Sequence, residues 1–278
     1  MQERMRDPNT VLERLSQGEA VLSLGIRNAR TAEIVRMAKA AGFGVIWIDL
    51  EHSSISIDCA AQILASATDQ DLEAWVRVPE RDYGVIGRLL DAGATGIVVP
   101  RVETADEAQQ VVNAARFPQR GQRSQIGLLP QADYQRMSAA ELMRCADRAT
   151  SVHILLESAE GIRNATAIAA VDGVSMLHVG LNDLSVDMGH VDDLYRDEIM
   201  AACKRVVTAA AEHGKLAAVG GASDPNQFLE LLSFGVAPLV FAAIDTDLLA
   251  AGLSLRATQW VERLRTWRGR SAPVVQHQ

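Results

Sequence analysis

The sequence has few of the features that mark membrane, secreted or disulfide-bonded proteins. Its three cysteines, among 278 residues, are far apart and show neither a disulfide framework nor a metal-binding spacing. No apolar run approaches the roughly 20 residues needed to cross a membrane, and residues 1–7 contain no apolar stretch typical of a secretory signal. The net charge of −8 argues against a nucleic-acid surface. We therefore expect a cytoplasmic protein with reduced thiols that binds neither membrane nor nucleic acid.

Lysine is also scarce. Lys39 and Lys204 lie on predicted helices, and Lys215 begins a predicted strand at the wrong face of the fold. None is placed to form a Schiff base with a carbonyl substrate. An enzyme of this sequence that activates a carbonyl group would need a metal ion instead.

Apolar residues, by contrast, make up 48% of the chain and recur in eight short β-rich runs. The runs lie at residues 21–26, 45–50, 73–78, 96–101, 152–158, 175–180, 215–221 and 238–244. Segments of helical period lie between them. Residues 31–41 place Ile34, Met37 and Ala38 on one predicted face, and Thr104 begins a Thr-x-x-Glu capping box.

This alternation predicts a single (β/α)8 TIM barrel over residues 1–278. Most of the runs are apolar throughout, as expected of parallel strands covered on both faces. A doubly wound sheet is the alternative, and the absence of a GxGxxG turn after the first strand weighs against it. Residues 116–150 are longer than an ordinary connection and predict a loop insertion. Residues 247–269 predict a C-terminal helical extension.

Polar side chains cluster at the ends of four predicted strands, beginning with the stretch VIWIDLEHSS. They are Asp49, Glu51, His52, Arg77, Glu157, Asn182 and Asp183. Because the C-terminal strand ends of such a barrel meet at one mouth, we expect these residues to surround a common site.

Glu157 and Asp183 are the candidate metal ligands. Two carboxylates from neighbouring strands would repel each other unless a cation or a proton lay between them. Oxygen ligands suit Mg²⁺, Mn²⁺ or Co²⁺, and a set of only two leaves positions for water and substrate, as in a catalytic site. The alternative is that each carboxylate caps a helix or pairs with an arginine.

His52 and Arg77 are the candidate catalytic side chains. His52 is suited to carry a proton, and Arg77 could hold a carboxylate or an enolate oxygen through a forked contact. The alternative for Arg77 is a salt bridge to Asp49 or Glu51. His153 and His178, which lie within strands, are interpreted as core histidines. The Arg-rich segment 116–150 is interpreted either as an anion-attracting surface or as a solvated face with oligomer contacts.

The chain resembles the HpcH/HpaI family of metal-dependent pyruvate aldolases, which includes 4-hydroxy-2-oxoheptanedioate and 2-keto-3-deoxy-sugar-acid aldolases. The matching stretches are AGFGVIWIDLEHS, VRVPE, LLDAGATGIVVPRVETADEAQQVVNAARFP, LLESAEGIRN, VGLNDLS and AIDTDLL. They extend over nearly the whole chain in the family order. The resemblance implies a barrel whose last helix is exchanged between subunits, in a hexamer built as a trimer of dimers.

The resemblance also implies roles for individual residues. Glu157 and Asp183 would bind a divalent ion that pyruvate chelates through its keto and carboxylate oxygens. Arg77 would stabilise the enolate oxygen, and His52 would take the proton from the aldol hydroxyl. Asp91 resembles the family's partner that raises the basicity of this histidine. It precedes the fourth strand, at the opposite end of its own barrel, so it could act only in a neighbouring subunit.

The sequence departs from the family pattern around the substrate. Leu155 replaces a substrate-binding glutamine, Leu181 and Asn182 change the usual GPADLS, and Leu50 replaces a glycine. Asn182 is expected to contact substrate together with Arg77 and Asp183, with Asp49 and Glu51 supporting them from behind.

The sequence thus predicts a class II aldolase that joins pyruvate to an aldehyde or cleaves the product. The alternatives are an oxaloacetate decarboxylase, which passes through the same enolate, and an acyl-CoA lyase of the citrate-lyase β type. A metal-binding oligomeric barrel without activity is the alternative outside catalysis.

Overall fold

The computed structural model describes residues 10–222 and 224–270, and its eight strands coincide with the apolar runs of the sequence. They are β1 (Val21–Ile26), β2 (Val45–Asp49), β3 (Glu73–Arg77), β4 (Gly96–Val99), β5 (Ser151–Leu156), β6 (Met176–Gly180), β7 (Leu216–Gly220) and β8 (Leu239–Ile244). The strands pair in parallel. Every predicted strand is confirmed, and its ends differ from the prediction by at most two residues.

Helices occupy the connections. They are α1 (Thr10–Ser16), α2 (Glu33–Ala40), α3 (Ile57–Asp69), α4 (Ile86–Asp91), α5 (Ala105–Ala115), α6 (Ala139–Ala149), α7 (Ala159–Arg163), α8 (Ala165–Ala169), α9 (Leu181–Asp187), α10 (Asp197–Glu212), α11 (Pro225–Ser233) and α12 (Asp245–Arg270). The capping box of α5 is confirmed, because Thr104 and Glu107 each accept a hydrogen bond from the other's backbone N–H.

The predicted apolar face of α2 is wrong at one position. Met37 is 65% exposed, whereas Val35 and Ala38 are buried. The helix rests on the barrel along these two residues, which are three apart, and a rotation of about 100° per residue turns Met37 away from them.

The strand order β7-β6-β5-β4-β3-β2-β1-β8 places β7 and β8 at the two ends of the ladder. Between these two strands, as far as the chain is described, no ladder forms. The N–H of Ala237 donates to the carbonyl of Ala217 at 2.7 Å, at the N-terminal end of the seam. The fold is therefore a (β/α)8 barrel that is nearly closed, as predicted.

The barrel interior is filled by large apolar side chains, because alternate residues of each strand point inward. The inward-facing group includes Trp47, Trp75, Leu155, Met176 and Phe241. Val11 and Leu15 of α1 pack against the same group. Several members of this layer, including Trp75 and Leu155, also line the cavity above it.

Residues 116–150 form a small unit beside the barrel, with a 3₁₀ turn at Pro130–Ala132 and the helix α6. Two of its arginines are buried. Arg116 donates to the carbonyls of Asp147 and Gly173, and Arg123 donates to Asp91. These two side chains serve internal contacts, so they do not contribute to a surface that attracts anions.

The final helix, α12, packs against β1 and β8 near its start and is exposed along the rest of its side chains that are described. Its large apolar residues include Leu248, Leu253, Trp260, Leu264 and Trp267, each more than half exposed. A series of exposed apolar side chains of this extent is typical of an interaction surface. Of the helices described, none combines the length and the apolarity that a membrane crossing requires.

Candidate active site

A cavity of about 1000 Å³ opens at the C-terminal ends of the strands. Arg77, Glu157, Asn182 and Asp183 line it, as the sequence predicts for residues at one mouth. Apolar and aromatic side chains from the barrel interior, Leu155 among them, form its deeper wall. The site therefore has a charged rim above an apolar floor.

Asp49 ends β2 and is fully buried beneath this rim. It accepts from Arg77 Nε at 3.0 Å and Nη2 at 2.6 Å, and from Arg27 Nε at 2.6 Å. The backbone N–H groups of Glu51 and His52 also donate to it. Burial opposes its ionisation, but the hydrogen bonds and charges of the two arginines outweigh burial and lower the pKa of Asp49 below its usual value. Asp49 is thus an ionised anchor that fixes two arginines and the following turn.

Arg77 has both salt bridges that the sequence allowed. Its Nη1 lies 3.1 Å from Glu51 Oε2, in addition to the fork on Asp49. Burial opposes its charge, yet the neighbouring carboxylates raise the pKa of Arg77, so the guanidinium remains a cation facing the cavity. It is therefore available to an anionic substrate oxygen without a change in charge.

Glu51 and His52 form the outer side of the site. Glu51 Oε2 is buried and accepts no hydrogen bond of good geometry, and burial together with nearby Asp49 and Asp183 raises the pKa of Glu51 against the effect of Arg77 and His52. His52 Nε2 lies 3.6 Å from the same Oε2, and the imidazole is 55% exposed. The histidine is therefore open to solvent and to ligands entering the mouth.

Glu157 follows β5 and is nearly fully buried. Its Oε1 accepts the backbone N–H of Arg101 at 3.0 Å. Burial, and then the charges of Asp183 and Glu51, raise its pKa to about 7, although Arg77 and Arg101 act in the opposite direction. Glu157 thus lies in a site with excess negative charge.

Asp183 lies in the first turn of α9 and is partly exposed. The guanidinium of Arg101 lies 3.5 Å from its Oδ1 and 3.8 Å from Glu80 Oε2. Arg101 itself has a left-handed backbone with φ of 52°, a conformation that non-glycine residues adopt at some cost. This arginine partly neutralises the two predicted metal ligands.

The donors at the rim fit a hard divalent ion. The charges of Asp183 and Glu51 oppose the ionisation of the buried Glu157, and Glu51 Oε2 lies 3.1 Å from Arg77 Nη1 without a hydrogen bond of good geometry. Carboxylate oxygens are the ligands that such ions prefer. In the described part of the chain, no group of three or more His, Cys, Asp or Glu side chains has metal-binding geometry. The predicted pair would therefore leave most coordination positions to water and substrate.

Asp91 does not line the cavity. It is the last residue of α4, before the N-terminal end of β4, and its Oδ1 accepts from Arg123 Nη2 at 2.7 Å. The position is the one expected from the sequence. A catalytic role for Asp91 stays a prediction that depends on a neighbouring subunit.

The sequence interpretation missed or misread three residues of the site: two that line the cavity, Arg27 and His178, and Arg101, which contacts Asp183 and Glu157. Arg27 follows β1 and lines the cavity. Arg101 was placed inside the fourth predicted strand, so its charge at a strand end was overlooked. His178 was interpreted as a core histidine. It is buried, as expected, but it also lines the cavity. A charged residue one or two positions past an apolar run was the signal for the two arginines.

A family model described as HpcH/HpaI aldolase/citrate lyase matches residues 27–239. The 4-hydroxy-4-methyl-2-oxoglutarate aldolase of Hapsidospora irregularis is 36% identical over 247 residues, which cover 88% of this chain and 92% of that protein. The hydroxypyruvate/pyruvate aldolase of Pseudomonas aeruginosa is 32% identical, with 88% and 90% covered.

A similar fold is found in the crystal structure of an HpcH/HpaI aldolase from Desulfitobacterium hafniense. It aligns with a TM-score of 0.80 at 23% identity and covers 95% of this chain and 98% of that chain. This likeness concerns the fold, whereas the family model and the two relatives concern the sequence itself. Together they show that this chain belongs to the HpcH/HpaI aldolase/citrate lyase family.

Proposed function

We propose that this chain is a divalent-metal-dependent class II aldolase that cleaves or forms 2-oxo-4-hydroxy acids through a pyruvate enolate. The observation that carries the proposal is the buried carboxyl group of Glu157, beside Asp183 and across the cavity rim from the fixed cation Arg77. The relatives named as aldolases of 2-oxo acids support the same reaction class.

Glu157 and Asp183 would hold the ion, with Mg²⁺, Mn²⁺ and Co²⁺ as the candidates. When bound, the ion supplies positive charge that favours the enolate. Arg77 contributes a second positive charge at the rim. Because Asp49 already fixes its orientation, Arg77 needs little reorganisation to meet an anionic oxygen. Asn182 offers an amide at the same rim.

His52 is the proton acceptor in the cleavage direction. The aldol hydroxyl gives its proton to His52, the bond between C3 and C4 breaks, and its electron pair remains on the pyruvate fragment as the enolate while the aldehyde forms. A proton from solvent then adds at C3 and completes pyruvate, and the protonated His52 returns its proton to solvent. Glu51 Oε2 lies 3.6 Å from His52 Nε2, so a carboxyl group borders the imidazole on this side of the mouth.

Exchange of the pyruvate methyl protons in D₂O, followed by proton NMR, tests the proposal. We expect exchange with Mn²⁺ or Mg²⁺, none with EDTA, and a loss of more than about 100-fold in Glu157→Gln and Asp183→Asn. A variant at the exposed His213 is the control. Full metal-stimulated exchange in either carboxylate variant would show that the ligand assignment is wrong.

The assembly is a second part of the proposal. The exposed apolar residues of α12 support exchange of this helix between subunits, in a hexamer built as a trimer of dimers. Mass photometry tests this, and Trp260→Glu with Leu264→Glu should produce smaller species. The three cysteines, which form no disulfide in the described part of the chain, support a cytoplasmic location.

A further inference from the structure

A chain of hydrogen bonds runs through the barrel interior and ends at the cavity. Ser151 Oγ lies 2.7 Å from His153 Nε2, and His153 Nδ1 lies 2.9 Å from His178 Nε2. Both histidines are buried, and His178 lines the cavity. Buried polar groups in such an apolar layer are usually paired. The remaining ring nitrogen of His178, at the cavity end of this series of hydrogen bonds, therefore needs a partner.

The contact between Ser151 and Thr95 determines which atom donates in each of the hydrogen bonds that follow. Ser151 Oγ lies 3.1 Å from the carbonyl of Thr95, which can only accept, so the Ser151 hydroxyl donates there. Ser151 Oγ must then accept from His153 Nε2–H, which leaves His153 Nδ1 without a proton. His178 Nε2–H donates to that Nδ1. A neutral imidazole has one N–H, so His178 Nδ1 is a bare acceptor.

A glycine separates this acceptor from the rim, and all three of His178, Gly180 and Glu157 line the cavity. Residues i and i+2 of a strand point to the same face, so Gly180 stands over His178 on the inner face of β6, about 7 Å higher along the strand. A Cβ at Gly180 would lie 2.8 Å from Glu157 Oε2 and 3.4 Å from Leu155 Cδ1. Because Gly180 has no side chain, the carboxyl group of Glu157 packs directly against β6 at the level above His178.

Leu155 is the neighbour of His178 in the β5–β6 register. Leu155 offers no polar atom to a ligand, so His178 supplies the polar group at this level from the adjacent strand. The rest of the wall there is apolar and includes Trp75 and Phe241. A ligand group at this depth therefore meets the acceptor His178 Nδ1 among apolar side chains.

We propose that His178 Nδ1 is a specificity determinant that accepts a hydrogen bond from a hydroxyl group on C3 of the 2-oxo acid donor. The inference rests on the proposed function, which places the 2-oxo acid beside Glu157. His52 is exposed at the outer mouth, so the aldehyde occupies that side and the floor is left to the donor. A carboxylate is disfavoured at the floor, because Arg27 and Arg77 lie above it at the strand ends and a bare nitrogen repels an anion.

Equilibrium binding of two isosteric acids tests the inference with the wild-type protein. Hydroxypyruvate and 2-oxobutanoate differ by a hydroxyl in place of a methyl group. In the presence of Mg²⁺, with binding followed by tryptophan fluorescence, we expect hydroxypyruvate to bind about tenfold more tightly, the effect of one well-formed neutral hydrogen bond. Equal or weaker binding of hydroxypyruvate overturns the inference.

Two amide variants assign the effect to one nitrogen. The amide of His178→Gln reaches the position of Nε2 and keeps the donor to His153, so the preference should fall to about one. The amide of His178→Asn lies near Nδ1, so most of the preference should remain. His178→Phe replaces His178→Gln if the latter does not fold, and the exposed His213→Gln is the matched control. An unchanged preference in His178→Gln or His178→Phe rules out His178.

The two hypotheses fail in different ways. If wild-type protein shows no metal-dependent exchange of pyruvate protons, the proposed function is wrong. If exchange occurs but the two acids bind equally well, the aldolase proposal stands and the role of His178 is wrong.

Discussion

Asp49 and Glu157 are both carboxylates at the C-terminal ends of barrel strands, and both are buried, yet their pKa values shift in opposite directions. Asp49 has two arginines and two backbone N–H groups as partners, and its pKa is lowered. Glu157 has one backbone N–H and two carboxylate neighbours, and its pKa rises to about 7. Burial is common to the two, so the partners decide the direction.

The difference separates an anchor from a ligand. A carboxylate whose charge is already satisfied fixes other groups and gains little from a metal ion. A carboxyl group that lies among other carboxylates is stabilised more strongly by a bound cation. Asp49 therefore orients Arg77, and we propose Glu157 as the residue that would bind the ion. Each prediction below acts on one side of this comparison.

Removal of the Asp49 charge should have the largest effect on stability. Asp49→Asn keeps the size of the side chain but leaves the buried guanidinium of Arg77 without its main partner. We expect a loss of about 3–5 kcal/mol in the free energy of unfolding, typical of a broken buried ion pair. Urea unfolding in EDTA at pH 8 and fixed protein concentration measures it. Glu157→Gln is the control, and an equal loss in both variants would contradict the anchor role.

Loss of the His52 side chain should lower the rate of aldol cleavage much more than it weakens metal binding. His52→Ala is expected to slow aldol cleavage by about 100-fold, the usual range for loss of a general base, and to change the Mn²⁺ affinity by less than about twofold, because the exposed imidazole is not one of the proposed ligands. Steady-state kinetics and calorimetry give the two values, with His213→Ala as control. A parallel loss of both would make His52 a structural residue.

The raised pKa of Glu157 should make the metal-free protein less stable as pH rises. The folded protein keeps the proton of Glu157 up to about pH 7, whereas the unfolded chain loses it near the ordinary glutamate pKa of 4.5. The folded state therefore binds more protons in this window, and stability falls with increasing pH.

Comparison with Glu157→Gln isolates this effect. Burial lowers the pKa values of His153 and His178, so these two residues make the folded protein more stable as pH rises. Both proteins contain them, so their contribution cancels in the difference between wild type and variant. The stability of wild type relative to the variant should fall by about 2 kcal/mol between pH 5 and pH 8. Unfolding in EDTA at both pH values measures it. A constant difference would mean that Glu157 is ionised throughout.

The sequence was sufficient for the fold and for most of the rim. The strands were found because a buried parallel strand is continuously apolar, and Arg77, Glu157 and Asp183 because charges interrupt such runs at their ends. Met37 was assigned to the wrong side, since period alone does not say which helix face meets the sheet. The polar role of His178 depends on pairing with His153, 25 residues away. Such a contact becomes visible only when the strand register is known.

Arg101 should give the smallest effect. Its guanidinium, about half exposed, lies 3.5 Å from Asp183 and repels a cation that approaches the same oxygen. Arg101→Gln should therefore bind Mn²⁺ up to about fivefold more tightly at pH 8.5, where Glu157 is ionised, because an exposed pair contributes at most about 1 kcal/mol. Arg101→Lys keeps the charge and should bind Mn²⁺ as the wild type does. Calorimetry compares the three proteins. Weaker binding by Arg101→Gln would mean that Arg101 orients the ligands, and it would then belong with Asp49 as an anchor of the rim.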